Sequence, residues 1–226
     1  MVRDGAAFKH KGMPEQAPLV SVITRTYAGR ELFLKQAMYS VAHQTWENIE
    51  HIIVEDGESS MQTLVESVAV VTGCATRYIA NGKKGRSSAG NTGLAAARGR
   101  WCLFLDDDDL LYSDHVETLA LALMDRPDAV ASYALAWEVV TDVSDLDRGG
   151  YKEMDYRLPT VFKQDFDPAI LRKYNYFTIQ SVLFERTLAV ERGGFEEDLE
   201  VLEDWVLWNK YAHENQFVYV PKVTSL

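Results

Sequence analysis

The stretch that most constrains the fold is Trp101–Asp109, in which five apolar residues run directly into four aspartates. The apolar run is short and does not alternate with polar residues, which is typical of a strand buried on both faces of a parallel sheet. Such a sheet needs helices on both sides, and its ligands bind beyond the carboxyl ends of the strands. The sequence therefore predicts an α/β fold with a ligand site at the acidic segment.

The four adjacent carboxylates of this segment repel one another and call for a positive charge nearby. If the chain stays extended, Asp106 and Asp108 point the same way, because side chains alternate along a strand. A divalent metal is the first candidate, since Mg²⁺ and Mn²⁺ prefer oxygen ligands and Mg²⁺ completes its shell with water and phosphate. The alternative is a solvated acidic loop that caps the next helix. The position after a buried strand favours the metal site.

The size and charge of the chain limit the classes of function. Its 226 residues fit one large α/β domain or two small ones. The net charge of −11 argues against a nucleic-acid partner, which would require a basic face. Cys74 and Cys102 lie in apolar surroundings and are interpreted as reduced thiols, which predicts a cytoplasmic location. No apolar run approaches the length that crosses a membrane.

Along the first half of the chain, apolar or β-branched runs alternate with segments of helical periodicity. Residues 1–18 have no periodicity and are interpreted as an N-terminal arm or linker. The predicted strands cover residues 19–24, 49–55, 77–79 and 101–105, and the predicted helices cover residues 31–43, 61–71 and 87–98. This alternation predicts a mostly parallel sheet with right-handed crossovers.

The second half is predicted to be less regular. Ser113 is expected to cap a helix, and a polar, irregular stretch is expected in the middle of this half. The predicted elements are a helix at 114–124, a strand at 129–140, an irregular segment at 141–167, a strand at 176–185, a turn at 193–195, a helix at 203–213 and a strand at 217–220.

Four polar clusters stand at strand ends or helix starts, and their order is informative. The clusters are Thr24–Tyr27, Glu55–Gly57, Asp106–Asp109 and, after Gly193–Glu197, the pair Glu203–Asp204. Each motif is weak alone, but together and in this order they resemble the family 2 glycosyltransferases of the GT-A fold. The resemblance runs from about residue 18 to the C-terminus.

The resemblance implies a GT-A fold over residues 19–226, an α/β architecture with a Rossmann-like, mostly parallel central sheet flanked by helices on both faces. It implies transfer of a sugar from a nucleotide diphosphate donor, UDP-linked as the first expectation, with inversion at the anomeric carbon. The implied acceptor is a glycan or a lipid-linked saccharide, and the implied cofactor is Mn²⁺ or Mg²⁺. We expect a cytoplasmic protein without a nucleic-acid partner. Peripheral association with the inner face of the membrane is left open.

The resemblance also gives roles to individual positions. Asp204 matches the catalytic base, with Glu203 next in line. Asp108 matches the metal ligand, and Asp106 and Asp109 are expected beside it in the metal site. The expected nucleotide-binding residues are Thr24, Thr26, Tyr27, Asp56, Arg86, Asp106 and Asp107.

These residue types suit the implied chemistry. Departure of a nucleoside diphosphate places negative charge on the leaving oxygen, which a metal stabilises without a proton donor. The attacking hydroxyl has a high pKa and needs a base on the opposite face of the sugar, a role that a carboxylate can fill.

The chain departs from the family pattern at several places. Gly90 stands where the family often has an arginine, and Arg86, Lys83 or Lys84 is expected to replace it. Lys210 stands where an arginine often follows the Glu-Asp pair. Relatives usually continue beyond the position of Leu226, which leads us to expect a domain taken from a longer protein.

Two other functions are consistent with parts of this pattern. A sugar-phosphate nucleotidyltransferase would carry a glycine-rich loop with Arg and Lys near its N-terminus, which Ser21–Arg30 does not show. A catalytically weak nucleotide- or glycan-binding module is the second alternative. The presence of Asp56, Asp108 and Asp204 argues against it, whereas the glycine at position 90 leaves it open.

Overall fold

The apolar segment that begins at Trp101 forms the middle strand of a seven-stranded sheet. The structure, a computed structural model, describes residues 17–146, 150–199 and 201–226. Residues 1–16, which make up most of the predicted N-terminal arm, lie outside the described residues.

The sheet is mostly parallel, with the strand order β3-β2-β1-β4-β8-β5-β9. Strand β8 is antiparallel to its neighbours β4 and β5, and β5 pairs with β9 in parallel. Strands β6 and β7 form a separate antiparallel hairpin. The strands are β1 Val20–Thr26, β2 Ile49–Glu55, β3 Ala75–Ala80, β4 Trp101–Asp106, β5 Ala129–Ala136, β6 Glu138–Asp142, β7 Lys152–Arg157, β8 Val182–Glu185 and β9 Gln216–Ser225.

Helices cover both faces of the sheet. They are α1 Glu31–Ala42, α2 Gln62–Thr72, α3 Arg86–Ala96, α4 His115–Asp125, α5 Pro168–Leu171, α6 Thr187–Arg192 and α7 Glu203–Ala212. Alternate strand residues serve the two faces: Val22 and Leu103 pack with α1 and α4, whereas Ile23 and Phe104 pack with α3 and α7. Helix α2 packs beside α1 on Ile53. The predicted fold class is therefore confirmed. In the described residues, no helix is both long and apolar enough to span a membrane.

The second half differs from the prediction in three places. The expected strand at 129–140 is interrupted at Trp137, and its second part leaves the main sheet to pair with β7. The segment 141–167 is not wholly irregular, because it contains β7, whose six residues are all exposed, including the alternating Met154 and Tyr156. In the segment 176–185, only Val182–Glu185 is strand, and a short 3₁₀ turn precedes it.

The predicted cap of α4 is wrong as well. The helix begins at His115 with Asp114 at its N-cap position, and its cap comes from Gln44, whose Oε1 accepts a hydrogen bond from the backbone N–H of Val116 at 3.0 Å. Ser113 lies outside the cap, and its carbonyl accepts a hydrogen bond from the backbone N–H of Thr45 at 2.7 Å. Propensity favours serine at a cap, but the connection to α1 fixes this segment instead.

Candidate active site

The carboxyl ends of three neighbouring strands bring most of the predicted site residues to one edge of the sheet. Parallel pairing places Arg25 of β1 opposite Asp106 of β4, and Thr26 of β1 opposite Glu55 of β2. Ligands of open α/β sheets bind beyond this edge. The β1, β2 and β4 clusters named from the sequence therefore share one crevice.

Two arginines neutralise the acidic segment. Both Asp106 oxygens accept hydrogen bonds from Arg25, each at 2.7 Å. Arg30 contacts Asp107 at 2.8 Å and Asp108 at 2.6 Å. The expectation of an extended segment is wrong, because β4 ends at Asp106 and the backbone N–H of Asp109 closes a turn on the Asp106 carbonyl at 3.1 Å. The protein itself thus supplies positive charge that the sequence argument sought in a metal.

Arg25 was not among the residues predicted from the sequence. It is only 6% exposed, and its guanidinium lies 5.2 Å from the ring centroid of Phe195 and 5.9 Å from that of Phe104. A third guanidinium nitrogen lies 3.4 Å from a Glu203 oxygen. One sequence signal would have pointed to Arg25. It is a basic residue at the end of a buried β-branched strand, and acids are expected at the end of the next strand, so a buried charge there has a partner.

Gly90, where the family often has an arginine, has no room for a side chain. A Cβ there would lie 2.5 Å from the Phe195 ring, so the ring would have to move. Arg25 lies over the same ring from β1. A basic group therefore reaches this part of the site from strand β1 and not from helix α3, where Gly90 lies.

The predicted pair at the start of α7 divides into a buried and an accessible carboxylate. Glu203 is 1% exposed and accepts hydrogen bonds or ion pairs from Arg25 and from Arg86, the latter at 2.6 Å. Asp204 is half-buried and accepts a hydrogen bond from the Asn175 amide at 3.0 Å. Burial raises the pKa of the Asp204 carboxyl, and the neighbouring charge of Glu203 adds to the rise. A raised pKa makes a carboxylate a better proton acceptor.

The acidic turn itself contains two carboxyl groups with perturbed pKa values. Burial raises the pKa of Asp107, although Arg30 and a 2.7 Å hydrogen bond from the Thr26 hydroxyl oppose the rise. Burial and the like charges of Asp106 and Asp108 raise the pKa of Asp109 well above its usual value. Within the described residues, the Asp109 carboxylate forms no hydrogen bond or ion pair. It is the member of the turn that most lacks a positive partner.

The β2 motif has a structural part and an accessible part. Glu55 is buried and accepts hydrogen bonds from the Ser60 hydroxyl and from the backbone N–H groups of Ser60 and Met61, so it caps α2. Gly57 is required beside it, because a Cβ there would lie 2.6 Å from a Glu55 oxygen. Asp56 is half-buried and accepts a hydrogen bond from the backbone N–H of Gly85 at 3.0 Å.

Three adjoining clefts open at this edge. The smallest, with a cavity volume of about 230 Å³, is lined by Arg25, Thr26, Tyr27, Arg30, Asp56, Arg86, Ala89, Asp106, Asp107 and Asp108. A second, of about 600 Å³, adds Lys83 and the loop after β2. The third, of about 590 Å³, lies between the acidic turn and the β6–β7 hairpin, with Asp109, Trp137 and Tyr151 in its lining. The smallest cleft meets the second at Tyr27, and it meets the third at Asp106 and Asp108.

Thr24 is the predicted nucleotide-binding residue that the structure does not bring to a cleft. It is 0% exposed, and its hydroxyl lies 2.8 Å from the imidazole of His51 on β2. Thr24 lies on the same face of β1 as Thr26 but two residues farther from the end of the strand, so it stays within the packed face of the sheet. Tyr27, by contrast, is 55% exposed and lines two of the clefts.

The acidic turn is not a preformed metal centre. Among the described residues, no group of three or more His, Cys, Asp or Glu side chains is arranged to hold a metal ion. The donor set still fits a hard divalent cation that completes its shell with ligand and water oxygens. Asp108 is 54% exposed and Asp109 has no partner in the described residues, whereas both Asp106 oxygens are already bound by Arg25.

A comparison with protein families decides the relationship of this chain. The model of glycosyl transferase family 2 matches residues 21–177. The chain belongs to glycosyl transferase family 2. The matched region includes β1, the β2 motif and the acidic turn. The resemblance inferred from the sequence motifs is therefore confirmed.

Curated relatives of this family member are longer than the chain. The O-antigen biosynthesis protein RfbC of Myxococcus xanthus is 27% identical over 185 residues, which cover 81% of this chain and 14% of the relative. An uncharacterized glycosyltransferase of Rickettsia felis is 35% identical over 214 residues, covering 89% of this chain and 33% of the relative. The chain thus spans a third or less of these two proteins.

Solved structures of similar fold include two proteins in complex with a nucleotide or a nucleotide sugar. TarS residues 1–349 of S. aureus, in complex with UDP, superposes with a TM-score of 0.71 at 17% identity, covering 92% of this chain and 59% of that one. The mannosyltransferase PcManGT of Pyrobaculum calidifontis, in complex with GDP-Man and Mn²⁺, gives 0.67 at 21% identity, covering 94% and 58%. These likenesses confirm the GT-A fold of this family 2 member.

Proposed function

We propose that this family 2 chain is the catalytic domain of an inverting, metal-dependent hexosyltransferase that takes its sugar from a nucleotide diphosphate donor, UDP-linked in the first instance. One observation carries the proposal. One guanidinium, that of Arg25, contacts both Asp106 of the acidic turn and Glu203 at the start of α7, which brings these two parts of the chain together although neither Glu203 nor Asp204 lines the three clefts.

The donor is proposed to lie in the two clefts that meet at Tyr27. The exposed ring of Tyr27 gives the nucleotide base an apolar surface, and the half-buried carboxylate of Asp56 can accept a hydrogen bond from it. Arg86 reaches into the same cleft with a guanidinium that is 56% exposed and suited to bind two phosphate oxygens at once. Complexes of fold relatives with UDP and with GDP-Man support a nucleotide-sugar donor.

Asp204 is proposed as the general base. Its half-buried carboxylate lies at the start of α7, and the Asn175 amide holds one of its oxygens, which fixes its orientation. A base that deprotonates the acceptor hydroxyl on the face opposite the leaving group leads to inversion. Glu203 is proposed to act in support, because its oxygen is already bound by Arg86 and Arg25.

Asp108 and Asp109 are proposed to hold Mn²⁺ or Mg²⁺ together with the donor diphosphate. When bound, such an ion stabilises the negative charge of the departing diphosphate as a Lewis acid. Asp106 is proposed to contact the nucleotide. Both of its oxygens accept hydrogen bonds from Arg25, which fixes the position of its carboxylate. The complex of PcManGT with Mn²⁺ supports a metal in this fold.

The acceptor is proposed to be a growing glycan or a lipid-linked saccharide that enters the cleft beside the β6–β7 hairpin. Trp137 and Tyr151 line this cleft and offer ring faces that suit a sugar. The proposed location is the cytoplasm, at the inner face of the membrane where the acceptor is lipid-linked. The name of the relative RfbC, an O-antigen biosynthesis protein, supports a polysaccharide acceptor.

The test begins with a thermal-shift screen of UDP- and GDP-linked sugars with Mn²⁺, because a ligand that binds only the native state raises the melting temperature. Hits are then assayed for nucleoside diphosphate release and for transfer to saccharide acceptors. Asp204→Asn is compared with Asp198→Asn, an acidic control between the glycine turn and α7. A nucleotide sugar that binds but is never turned over would support a binding module instead. If no nucleotide sugar binds, the proposal is wrong.

A further inference from the structure

Arg25 lies between the two acidic parts of the site and is bonded to both. Two of its nitrogens hold the Asp106 carboxylate at 2.7 Å each, and the third lies 3.4 Å from Glu203. Among the described residues it is the one side chain that contacts both carboxylates. The contact joins positions 178 residues apart in the chain.

The geometry at this position requires arginine. A guanidinium presents its N–H donors in a rigid plane, so it can bind one carboxylate with two bonds and a second carboxylate with the remaining edge. Its faces also lie near the rings of Phe104 and Phe195. A lysine ammonium would keep the charge but could not hold two carboxylates in fixed directions.

Arg86 also contacts Glu203, but its position is different. Its side chain is 56% exposed and lines the donor cleft, whereas the Arg25 side chain is 5% exposed. Arg86 can therefore turn from Glu203 to a ligand in the open cleft. Arg25 cannot, because it is held on β1, bonded to Asp106 and packed against the rings of Phe104 and Phe195.

Glu203 and Asp204 form the first turn of α7, which follows Leu202 in the left-handed region at φ +62°. Whatever holds Glu203 thus sets the position of Asp204. We propose that Arg25 is a positioning residue that ties the start of α7 to the acidic turn and thereby fixes the distance between Asp204 and the donor. The catalytic part of this inference rests on the proposed role of Asp204, but the physical link does not.

The link is tested first without any ligand, by a double-mutant cycle on urea unfolding with Asp106→Asn and Glu203→Gln. Each single variant leaves the buried guanidinium of Arg25 one carboxylate, and the double variant leaves it none. The double variant should therefore lose more stability than the sum of the two single variants, by roughly tenfold in the unfolding equilibrium constant. Direct repulsion between the carboxylates gives the same sign but does not need the guanidinium, so the coupling that Arg25 carries should shrink in an Arg25→Lys background. A coupling that is unchanged in that background would overturn the link, and additive effects would overturn it even where Arg25→Lys does not fold.

The catalytic consequence is tested with the nucleotide sugar that the donor screen identifies. Arg25→Lys should lower kcat by about 10- to 100-fold, because a base displaced by about 1 Å loses much of its effect. The donor KM should rise by a smaller factor than kcat falls, because lysine keeps a positive charge beside Asp106 and the other residues of the cleft remain. Arg100→Lys is the matched control, because Arg100 also lies over an aromatic ring, that of Trp101, and pairs with a carboxylate, Glu185, at the opposite end of β4.

The outcomes separate the inference from the proposed function. Coupling between Asp106 and Glu203 without any turnover would keep the link and reject the glycosyltransferase. A kcat that is unchanged in Arg25→Lys, or a fall of equal size in Arg100→Lys, would reject the positioning role while leaving the proposed function intact.

Discussion

At the scale of single residues, neighbouring carboxylates differ because their partners differ. Glu203 is buried beneath two arginines, whereas Asp204 is half-buried and bonded to an amide. Burial of Asp204 raises its pKa, so its carboxylate binds a proton more readily than an exposed aspartate. The residue with the accessible carboxylate is therefore the better candidate for proton transfer.

Asp204→Asn keeps the shape of the side chain but cannot accept the acceptor proton. We expect donor binding to persist while kcat falls by about two to four orders of magnitude, the range for loss of a general base. Steady-state transfer kinetics and UDP calorimetry measure the two effects. Near-normal transfer by Asp204→Asn would contradict the assignment, and Glu203 would then be the next residue to test.

Lys83 lies in the basic loop before α3, and Arg86 is the first residue of α3; the two line different clefts, and of the two only Arg86 contacts Glu203. We expect Arg86→Ala to weaken UDP binding by about tenfold, because it removes a charge-assisted contact to phosphate. Lys83→Ala should change affinity by about threefold or less. Isothermal titration with UDP and Mn²⁺ compares the two variants. Equal, small losses would show that the loop is only a solvated basic turn.

At the scale of elements, the start of α2 depends on a strand residue. Helix α2 has no side-chain cap of its own, and Glu55 at the end of β2 accepts the hydrogen bonds of Ser60 and Met61 instead. The Tyr78 hydroxyl on β3 donates to the same carboxylate. Burial alone would raise the pKa of Glu55, but these hydrogen bonds outweigh it and lower the pKa below its usual value.

Glu55→Gln should therefore destabilise the fold by about 1–3 kcal/mol near neutral pH, because an amide cannot accept all of these hydrogen bonds. The ionised carboxylate stabilises the folded state above its unfolded pKa of about 4.5, and this contribution is lost as the pH falls below that value. The difference in the free energy of unfolding between wild type and Glu55→Gln should therefore become smaller as the pH falls below that value. Urea unfolding measures it, with the exposed Glu58→Gln as control. A gap that does not depend on pH would contradict the capping role.

At the scale of the whole molecule, two buried histidines link folding to pH. Burial lowers the pKa of His51 to about 3 and that of His115 to about 4. Their imidazoles are hydrogen-bonded to Thr24 and Thr224, respectively. The folded state therefore keeps both rings neutral at a pH where the unfolded chain takes up protons.

Stability should fall as the pH drops below about 6.5, the usual histidine value, by up to about 1.4 kcal/mol per pH unit for each histidine. The loss continues until the pH reaches the folded-state pKa values. Urea unfolding at about pH 7 and about pH 5.5 tests this. His51→Gln should reduce the loss of unfolding free energy between these two pH values, whereas the exposed His43→Gln should leave that loss unchanged. An equal loss of unfolding free energy in wild type and both variants would contradict the role given to His51.

Part of the candidate site could be predicted from the sequence, because strand ends are visible in it. The acidic segment and the β2 motif each follow an apolar or β-branched run, and parallel pairing brings such ends together. The β6–β7 hairpin could not be predicted in the same way. Strand β7 is exposed along its length, its only apolar alternation is the short pair Met154 and Tyr156 among charged residues, and its pairing with β6 is a tertiary contact.

Local patterns of apolar and polar residues were sufficient to predict the fold class, the family and the edge of the sheet where the candidate site lies. The pairing of the charges could be established only from the folded structure. Arg25 and Arg30 pair with three of the four carboxylates of the acidic turn, and among the described residues Arg25 is the one side chain that reaches both Asp106 and Glu203. The interaction between two charges depends on their distance in space and not on their separation along the chain. The chain brings Arg25 and Glu203, 178 residues apart, to within 3.4 Å, and nothing local in either segment encodes that contact.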